Sequence, residues 1–282
     1  MTGRVLRALA ITLIVVWSLA PIAIGLVTSF STQRDVQAVP ARWLPEKPTL
    51  DAYHSLLGGT SSRRAGGTVA ESGTYSKALL NSTIVTLLST LAVLAVAVSG
   101  AYGFSRLEFP GRRTLFWAIS ALIIIPVFMV VIALFRLMAN AHLIDHKLGL
   151  VLVFAATQTP LALLLMRNYI AELPLEPEEA ALIDGCTRWQ AFWRVVVPQM
   201  SSGIAALAAI VMLAVWGEFL IPLLLTSTLN SKTVTVVIPE FVGKYTTNYP
   251  LLAAAGVLAV LPPAIVALVL NRHIRGMLHG SS

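Results

Sequence analysis

The sequence predicts an all-α membrane protein with six transmembrane helices. Apolar residues occupy 57% of the 282 positions and charged residues only 12%, a composition typical of membrane proteins rather than of soluble domains. Six segments are apolar over the roughly 20 residues that a helix needs to cross the hydrocarbon core of a bilayer. Because backbone amides in lipid must be satisfied within their own segment, we expect these spans to be helices.

The predicted spans differ little in composition. Five of them contain no Asp, Glu, Lys or Arg, and the fifth along the chain contains Glu218 alone. The first span is long for the core of a signal peptide and has no clear small-residue cleavage site, so we interpret it as an uncleaved span. The six spans are residues 8–33, 78–105, 114–135, 148–166, 195–231 and 245–271.

Positive charge is distributed unevenly among the loops. Each side of the membrane would carry ten Lys and Arg residues, but six of those on one side lie in the long loop after the first span. Over the short loops alone the count is ten against four, which predicts that both termini and residues 167–200 are cytoplasmic. This bias explains the net charge of +7, so nucleic-acid binding is not expected.

The spans divide the chain into three segments. Residues 1–77 are predicted to be the first span and an extracytoplasmic loop, residues 78–271 a core of five helices, and residues 272–282 a short cytoplasmic tail. Within the loop, residues 58–73 are rich in Gly, Ser and Thr and predict a flexible external insertion. Cys186 is the only cysteine, which excludes an internal disulfide and a thiolate metal site.

A polar segment at residues 174–198 interrupts the apolar pattern. Pro177 is suited to a first helical turn, and the acidic residues around it suit the positive end of a helix dipole. Gly185 is predicted to end this helix in a left-handed conformation. Thr187 and Gln190 then form a capping box that begins a second short helix. The two helices form a polar pair at the membrane surface.

The second helix is predicted to be amphipathic and to end at Pro198. Two interpretations of the pair are open: it lies on lipid, or it docks into a groove of another protein. The acidic first helix and the small side chains of Ala180 and Ala181 favour protein docking. The side chains predicted to share one face of the second helix are Trp189, Phe192, Trp193 and Val196.

The same segment resembles the EAA loop of permease subunits in binding-protein-dependent ABC importers. That motif is Glu-Ala-Ala, three residues, Gly, nine residues, Ile, one residue and Leu-Pro. Here Glu179-Ala180-Ala181, Gly185, Val195 and Val197-Pro198 keep this spacing with two conservative changes. The stretches "RLEFPGRR", "WGEFLIPLLLT" and "RHIRGMLHG" also resemble the carbohydrate-uptake, maltose-type branch. The resemblance covers about residues 78–280.

The resemblance implies a type I ABC importer permease fold and transport of a sugar or sugar derivative across a bacterial cell membrane. It implies four kinds of partner: a second permease subunit, expected to form a heterodimer, two ATP-binding cassette subunits, an extracytoplasmic solute-binding protein and the lipid membrane. No cofactor, metal or catalytic residue is implied, because ATP would be hydrolysed on the separate subunits. The chain itself has no Walker A pattern.

The resemblance also assigns the EAA loop, at about residues 169–200, to coupling with the ATPase. The chain departs from the family pattern at Gly217, where Asn is frequent, and in its long external insertion and short tail. The residues implied in coupling are Glu179, Ala180, Ala181, Asp184, Gly185, Thr187, Phe192 and Pro198.

Glu218 and Trp216 are candidates for the substrate pathway. Acidic residues inside spans are costly and usually face a cavity or a partner. A structural hydrogen bond to a neighbouring helix or to the partner permease is the favoured interpretation of Glu218, and a place in the pathway is the alternative. The departure at Gly217 weakens any contact inferred from the family.

The segment "HLIDH" is the remaining candidate site. His142 and His146 are four residues apart with Asp145 between them, but the glutamate of a zinc-binding HExxH motif is absent, so we expect a solvated turn. Two other classes of protein do not fit the sequence. An ion-coupled secondary transporter or channel would need several intramembrane ionisable groups and an inverted repeat, and a membrane enzyme would need convergent catalytic groups; neither pattern is present.

Overall fold

The structure is a computed structural model that describes residues 2–40, 42–58, 73–242 and 247–278. Most of the predicted insertion at residues 58–73 lies outside these residues. The part described is mainly helical, and its only bridge of the β type is an antiparallel one between Val242 and Thr247. Its helices are α1 Thr2–Ser29, α2 Gln33–Val36, α3 Asp51–Leu57, α4 Thr74–Arg106, α5 Arg112–Ala121, α6 Val127–Asn140, α7 Lys147–Glu172, α8 Glu176–Ile183, α9 Arg188–Ala191, α10 Val197–Gln199, α11 Ser201–Gly217, α12 Leu220–Leu225, α13 Val234–Glu240 and α14 Tyr249–Leu278.

Four helices among the described residues are long and apolar enough to cross a membrane. They lie within α1, α4, α7 and α14. Two bent pairs pass the same test: α5 with α6, which meet at 103°, and the helical stretch Arg188–Gln199 with α11, which meet at 74°. When each bent pair counts as one span the total is six, in agreement with the predicted all-α membrane fold.

The two bends have local causes. A short 3₁₀ turn, Leu122–Ile124, follows α5, and Ile125 is extended because the following Pro126 disfavours helical geometry there. The second bend, at Met200, follows a π-helical turn at Phe192–Val196, a type of irregularity that often accompanies helix bending.

The predicted span at residues 195–231 is wrong in its bounds. It is broken at Met200 and again after Gly217, where Glu218 adopts an extended backbone conformation. The chain leaves helical structure after Leu225. Apolar composition alone could not reveal these breaks, because the residues on both sides of each one are equally suited to lipid.

Contacts group the chain into two compact units. The larger contains Asn81–Lys232 and Pro263–Ser282, and α7 is central to its core because it packs against α5, α6, α11 and α12. The approach of α11 to α7 is close. A Cβ at Gly203 would lie 2.9 Å from the Tyr169 ring, and the Tyr169 and Ser202 hydroxyls are 2.6 Å apart. Small residues are a common means of bringing membrane helices together.

The smaller unit contains Met1–Leu80 and Thr233–Pro262. Its core joins side chains of α3, α4, α13 and α14, and the buried Tyr75 hydroxyl donates to the carbonyl of Ala255 at 2.7 Å. Gln33 in α2 binds the segment before α14 through its side chain, donating to Thr247 O and accepting from Tyr249 N. The apolar side chains of α1 remain exposed, as expected for a helix that faces lipid or a partner.

Asp145 joins two loops of the larger unit. Its carboxylate accepts hydrogen bonds from the backbone N–H groups of Ser227 and Thr228 and from the hydroxyls of Thr228 and Ser231, over 2.5–3.0 Å. Its own N–H donates to Leu225 O at 2.8 Å. The segment is a turn with His142 and His146 exposed, as predicted, and the contacts of Asp145 with a second loop were not predicted. No group of three metal-ligating side chains is found around it or elsewhere in the described part of the chain.

The hydrogen bonds to Asp145 control its ionisation. Partial burial disfavours the charged form, but the four donors outweigh it and hold the pKa of the carboxyl well below its usual range. A lowered pKa in the folded state means that this carboxylate stabilises the protein fully above the unfolded-state pKa of about 3.9. The contribution decreases progressively below that pH and is lost as the pH falls through the lower pKa of the folded state.

We expect Asp145→Asn to lower the free energy of unfolding by about 1–3 kcal/mol at pH 7, because a neutral amide cannot replace four charge-assisted hydrogen bonds. Thermal unfolding of the purified protein should show the gap between wild type and variant narrowing by about 1 kcal/mol between pH 7 and pH 3. Asp51→Asn, at an exposed carboxylate, is the control. A gap that does not change with pH would contradict the role assigned to Asp145.

Candidate coupling site

Helix α8 ends at Gly185 through a complete Schellman motif. The Cys186 N–H donates to Ala181 O at 3.0 Å, and the Gly185 N–H donates to Leu182 O at 3.1 Å. Gly185 has a φ of 89°, so the predicted left-handed stop is confirmed. A Cβ at Gly185 would meet no atom within 4 Å. The requirement for glycine is therefore conformational and not steric.

Helix α9 begins with the predicted capping box, which the structure confirms. The Thr187 N–H donates to Gln190 Oε1 at 2.8 Å, and the Gln190 N–H donates to Thr187 Oγ1 at 3.3 Å. Only one residue, Cys186, separates this cap from the glycine that ends α8. Both helix termini at the elbow are thus satisfied by local hydrogen bonds, which fixes the conformation of the short connection.

The prediction that Pro198 ends this second helix is wrong. Pro198 lies in the first turn of α10, where the missing N–H has little cost. The chain stays helical from Arg188 through the π-helical turn to Gln199 and bends only at Met200. The π-helical turn was not predicted, because its side-chain pattern is close to that of an α-helix.

The four side chains predicted to share one face are divided between core and surface. Phe192 and Val196 are buried, whereas Trp189 and Trp193 are exposed. The π-helical turn begins at Phe192 and changes the helical repeat, so the α-helical register does not hold across it. The aromatic rings nevertheless form one cluster, in which Phe192 contacts Tyr102, Trp189 and Trp193 at centroid distances of 4.8–5.6 Å.

A buried carboxylate, which was not predicted from the sequence, connects α8 to α4. Glu178 is only 5% exposed and accepts a hydrogen bond of 2.7 Å from the Tyr102 hydroxyl. Its second oxygen lies 3.1 Å from Arg106 Nε in an ionic contact without hydrogen-bond alignment. Arg106 also donates to the carbonyls of Ile170 and Leu173 at the end of α7. One ionic cluster therefore joins the ends of α4, α7 and α8.

Many residues at the elbow of the helix pair and beside it are exposed. Ile183 is 86% exposed and Trp189 is 64% exposed, although both are large apolar residues in a polar segment. Large apolar side chains that are this exposed in a polar segment are candidates for contact with another molecule. We call this surface the coupling face, and its exposed residues are Glu179, Ala180, Ile183, Asp184, Gly185, Thr187 and Trp189.

The structure separates the predicted coupling residues by exposure. Five of the eight lie on the coupling face, and Pro198 is exposed outside it. Ala181 is half-buried, and Phe192 is buried in the core beneath the pair. Phe192 is therefore placed to position the helix pair and not to touch a partner.

Glu218 lies at a break inside a membrane segment. The backbone at Glu218 is extended, with φ −71° and ψ 131°, and its Oε1 accepts from the N–H groups of Leu220 and Ile221 at 3.0 and 3.5 Å. The carboxylate thus caps α12. This is a structural hydrogen bond, as favoured from the sequence, but it is local and does not require a neighbouring helix. Trp216, two residues before it, is half-buried.

Relatives of the chain include permease proteins of sugar uptake systems. It is 30% identical to the diacetylchitobiose uptake system permease protein of Streptomyces coelicolor, over 98% of this chain and 88% of that protein. It is 28% identical to the sulfoquinovosyl glycerol transport system permease protein of Agrobacterium fabrum, over 97% and 91% of the two chains.

A solved structure with the same fold is that of a bacterial ABC transporter involved in the import of the acidic polysaccharide alginate. The TM-score is 0.81 at 20% identity, over 96% of both chains, which confirms the predicted importer permease fold. The family model described as "Binding-protein-dependent transport system inner membrane component" matches residues 92–276. The chain therefore belongs to this family, the permease subunits of binding-protein-dependent ABC importers.

Proposed function

We propose that this chain is the permease subunit of an ATP-driven importer for a sugar or sugar derivative. The observation that carries the proposal is the coupling face, a polar helix pair whose elbow is capped on both sides and whose base is held by Glu178. The carbohydrate class is supported by the relatives, which are named for uptake of diacetylchitobiose, sulfoquinovosyl glycerol and trehalose.

The geometry of the helix pair suits the transmission of a movement. A docking element transmits a displacement to the rest of the protein only when the element itself deforms less than its contacts with the partner. The Schellman motif at Gly185 and the capping box at Thr187 stiffen the elbow. The ionic cluster of Glu178 and Arg106 connects α8 to the ends of two membrane helices. A force on the coupling face is thereby passed directly to α4 and α7.

The proposed assembly contains a second permease subunit, as a heterodimer, two ATP-binding cassette subunits and an extracytoplasmic solute-binding protein. We place the coupling face and both termini in the cytoplasm of a bacterial cell, on the basis of the Lys and Arg bias of the short loops. Glu179, Ala180, Asp184, Gly185 and Thr187 would contact the groove of the ATPase, together with Ile183 and Trp189.

We further propose that the break between α11 and α12 lies beside the substrate pathway. Irregular backbone at membrane depth is tolerated where it is buried in protein or lines a cavity. Glu218 caps α12 there, and Trp216 offers an aromatic surface suited to the apolar face of a sugar ring. In this arrangement Glu218 shapes the break, and Trp216 is the side chain proposed to touch the solute.

Transport should require the whole assembly. We expect proteoliposomes containing both permeases and the ATPase subunits to take up a labelled sugar only when ATP and the loaded binding protein are supplied. This chain alone should neither hydrolyse ATP nor transport. Uptake by this chain alone, driven by a proton or sodium gradient, would overturn the proposal in favour of a secondary transporter.

Two substitutions on the coupling face should uncouple the importer. Gly185→Val places a β-branched residue at a φ of 89°, which costs about 1 kcal/mol or more and distorts the elbow. Glu179→Lys reverses a charge at the proposed groove. Both variants should lower uptake and the stimulation of ATPase activity by the binding protein at least several-fold, while the subunit still inserts into the membrane.

Matched variants separate these effects from general damage. Gly185→Asn should retain most of the uptake, because asparagine tolerates the left-handed conformation better than other side chains. Glu172→Lys makes the same charge change at an exposed position at the end of α7, outside the helix pair, and it should have a smaller effect. Full coupling in both Gly185→Val and Glu179→Lys would favour the interpretation in which the pair lies on lipid.

Loss of the buried carboxylate should destabilise the base of the helix pair. We expect Glu178→Gln to lower the free energy of unfolding by about 3–5 kcal/mol, because Arg106 is left buried without its counter-charge. Tyr102→Phe, which removes one hydrogen bond to the same carboxylate, should cost only about 1–3 kcal/mol. The measurements are thermal unfolding of the assembled complex and ATPase stimulation.

A double-mutant cycle tests whether the two charges act together. Removing both in Arg106→Gln/Glu178→Gln should cost less than the sum of the single variants, because no unpaired charge remains. Strictly additive effects of the two substitutions would show that the ion pair does not hold the helix pair in place.

A further inference from the structure

A basic pocket lies at the end of the membrane helices from which the coupling pair extends. It has a volume of about 300 Å³ and collects side chains from the end of α4, the start of α5 and the last turns of α7. Three arginines line it, Arg112, Arg113 and Arg167, together with the aromatic rings of Phe116 and Trp117. Neither the coupling face nor the helix break uses these residues.

The three guanidinium groups have no counter-ion in the described part of the chain. No carboxylate there lies within the 4 Å of an ion pair with any of them. Their contacts within the protein leave N–H donors available for a ligand. Arg112 uses one N–H for the carbonyl of Leu107 at 2.9 Å. The Arg167 guanidinium lies over the Phe116 ring, 4.8 Å from its centroid. A guanidinium that stacks on a ring keeps its N–H edge free for an anion.

A buried hydroxyl at the same pocket also has unused hydrogen-bonding capacity. Ser105 lines the pocket, and its Oγ is buried without a hydrogen-bond partner. Buried polar atoms are nearly always paired, so this hydroxyl has a donor to spare, which a change of the Ser105 side-chain rotamer would turn toward an anion in the pocket. A phosphate group matches this set, since its oxygens accept both from a hydroxyl and from the forked donors of arginine.

The surroundings of the pocket indicate where the phosphate comes from. Helix α5 leads away from the pocket with Leu115 and Trp117 on its surface, 49% and 58% exposed. Exposed tryptophan is characteristic of the membrane–water interface. The pocket itself is at the small end of the range for ligand sites, about 300–1,000 Å³. It would hold a headgroup while the acyl chains lie along the apolar surface of α5.

We propose that this pocket binds the phosphate of an anionic phospholipid headgroup, such as that of phosphatidylglycerol. Basic pockets between membrane helices are suited to such headgroups. The bound lipid would hold together the ends of α4, α5 and α7. Ser105 precedes Arg106 in the chain, so the lipid site adjoins the ionic cluster that positions the coupling pair. The inference concerns lipid only and does not depend on the identity of the transported solute.

The test is a lipid titration of the assembled importer, purified in neutral detergent and followed by native mass spectrometry. Wild type should retain phosphatidylglycerol in preference to phosphatidylcholine. Each arginine near an anionic lipid contributes enough to change affinity about fivefold. Arg113→Gln/Arg167→Gln should therefore weaken phosphatidylglycerol binding by about 30-fold. Arg4→Gln/Arg7→Gln, which removes two exposed cations from the N-terminal helix, should leave the affinity unchanged.

Several outcomes would overturn the proposal. One is equal retention of phosphatidylglycerol by wild type and the Arg113/Arg167 variant, and another is equal retention of phosphatidylcholine by wild type. If millimolar inorganic phosphate or glycerol 3-phosphate displaces the lipid completely, the site is one for a soluble phosphate and not for a lipid. If the double variant does not assemble, the single variant Arg113→Gln provides the test. Its affinity for phosphatidylglycerol should be about fivefold lower than that of wild type.

Discussion

The coupling face depends on one buried interaction, the contact of the Glu178 carboxylate with Arg106 and Tyr102. A carboxylate with 5% exposure is costly to bury unless its charge is compensated and its oxygens accept hydrogen bonds. Each oxygen of Glu178 has one partner on α4, and Arg106 has further partners at the end of α7. Because separating these groups would leave a buried charge unpaired, the cluster opposes any tilt of α8 that is independent of the membrane helices.

The outer surface of the pair is held by different means. Its shape comes from backbone rules at the elbow, where the φ of Gly185 and the capping box of Thr187 fix the connection. Its underside is held by Phe192, which is buried among other aromatic rings. The exposed side chains do not hold the fold of the pair, so they are available for contact with a partner. This division explains how Ile183 and Trp189 can remain exposed in a well-packed segment.

Features set by local chemistry could be predicted from the sequence, and features set by tertiary contacts could not. The apolar segments, the glycine stop and the capping box each follow from a few neighbouring residues, and the structure has them. The bends that break two of the predicted spans were not predicted. The burial of Glu178 depends on residues more than 70 positions away in the chain, and α8 carries three glutamates that look alike in sequence. The hydrogen bonds of Asp145 could not be predicted for the same reason, since its four donors lie beyond residue 225.

The two ends of α11 connect the coupling pair to the helix break. At one end the chain bends at Met200 after the π-helical turn, and at the other Glu218 caps α12. Between them Ser201–Gly217 is an uninterrupted helix, about 25 Å long at 1.5 Å per residue. The contact of Gly203 with Tyr169 holds its first turn against α7. A continuous helix moves as a rod, so a tilt imposed near Met200 displaces the opposite end, where Glu218 allows the chain to change direction.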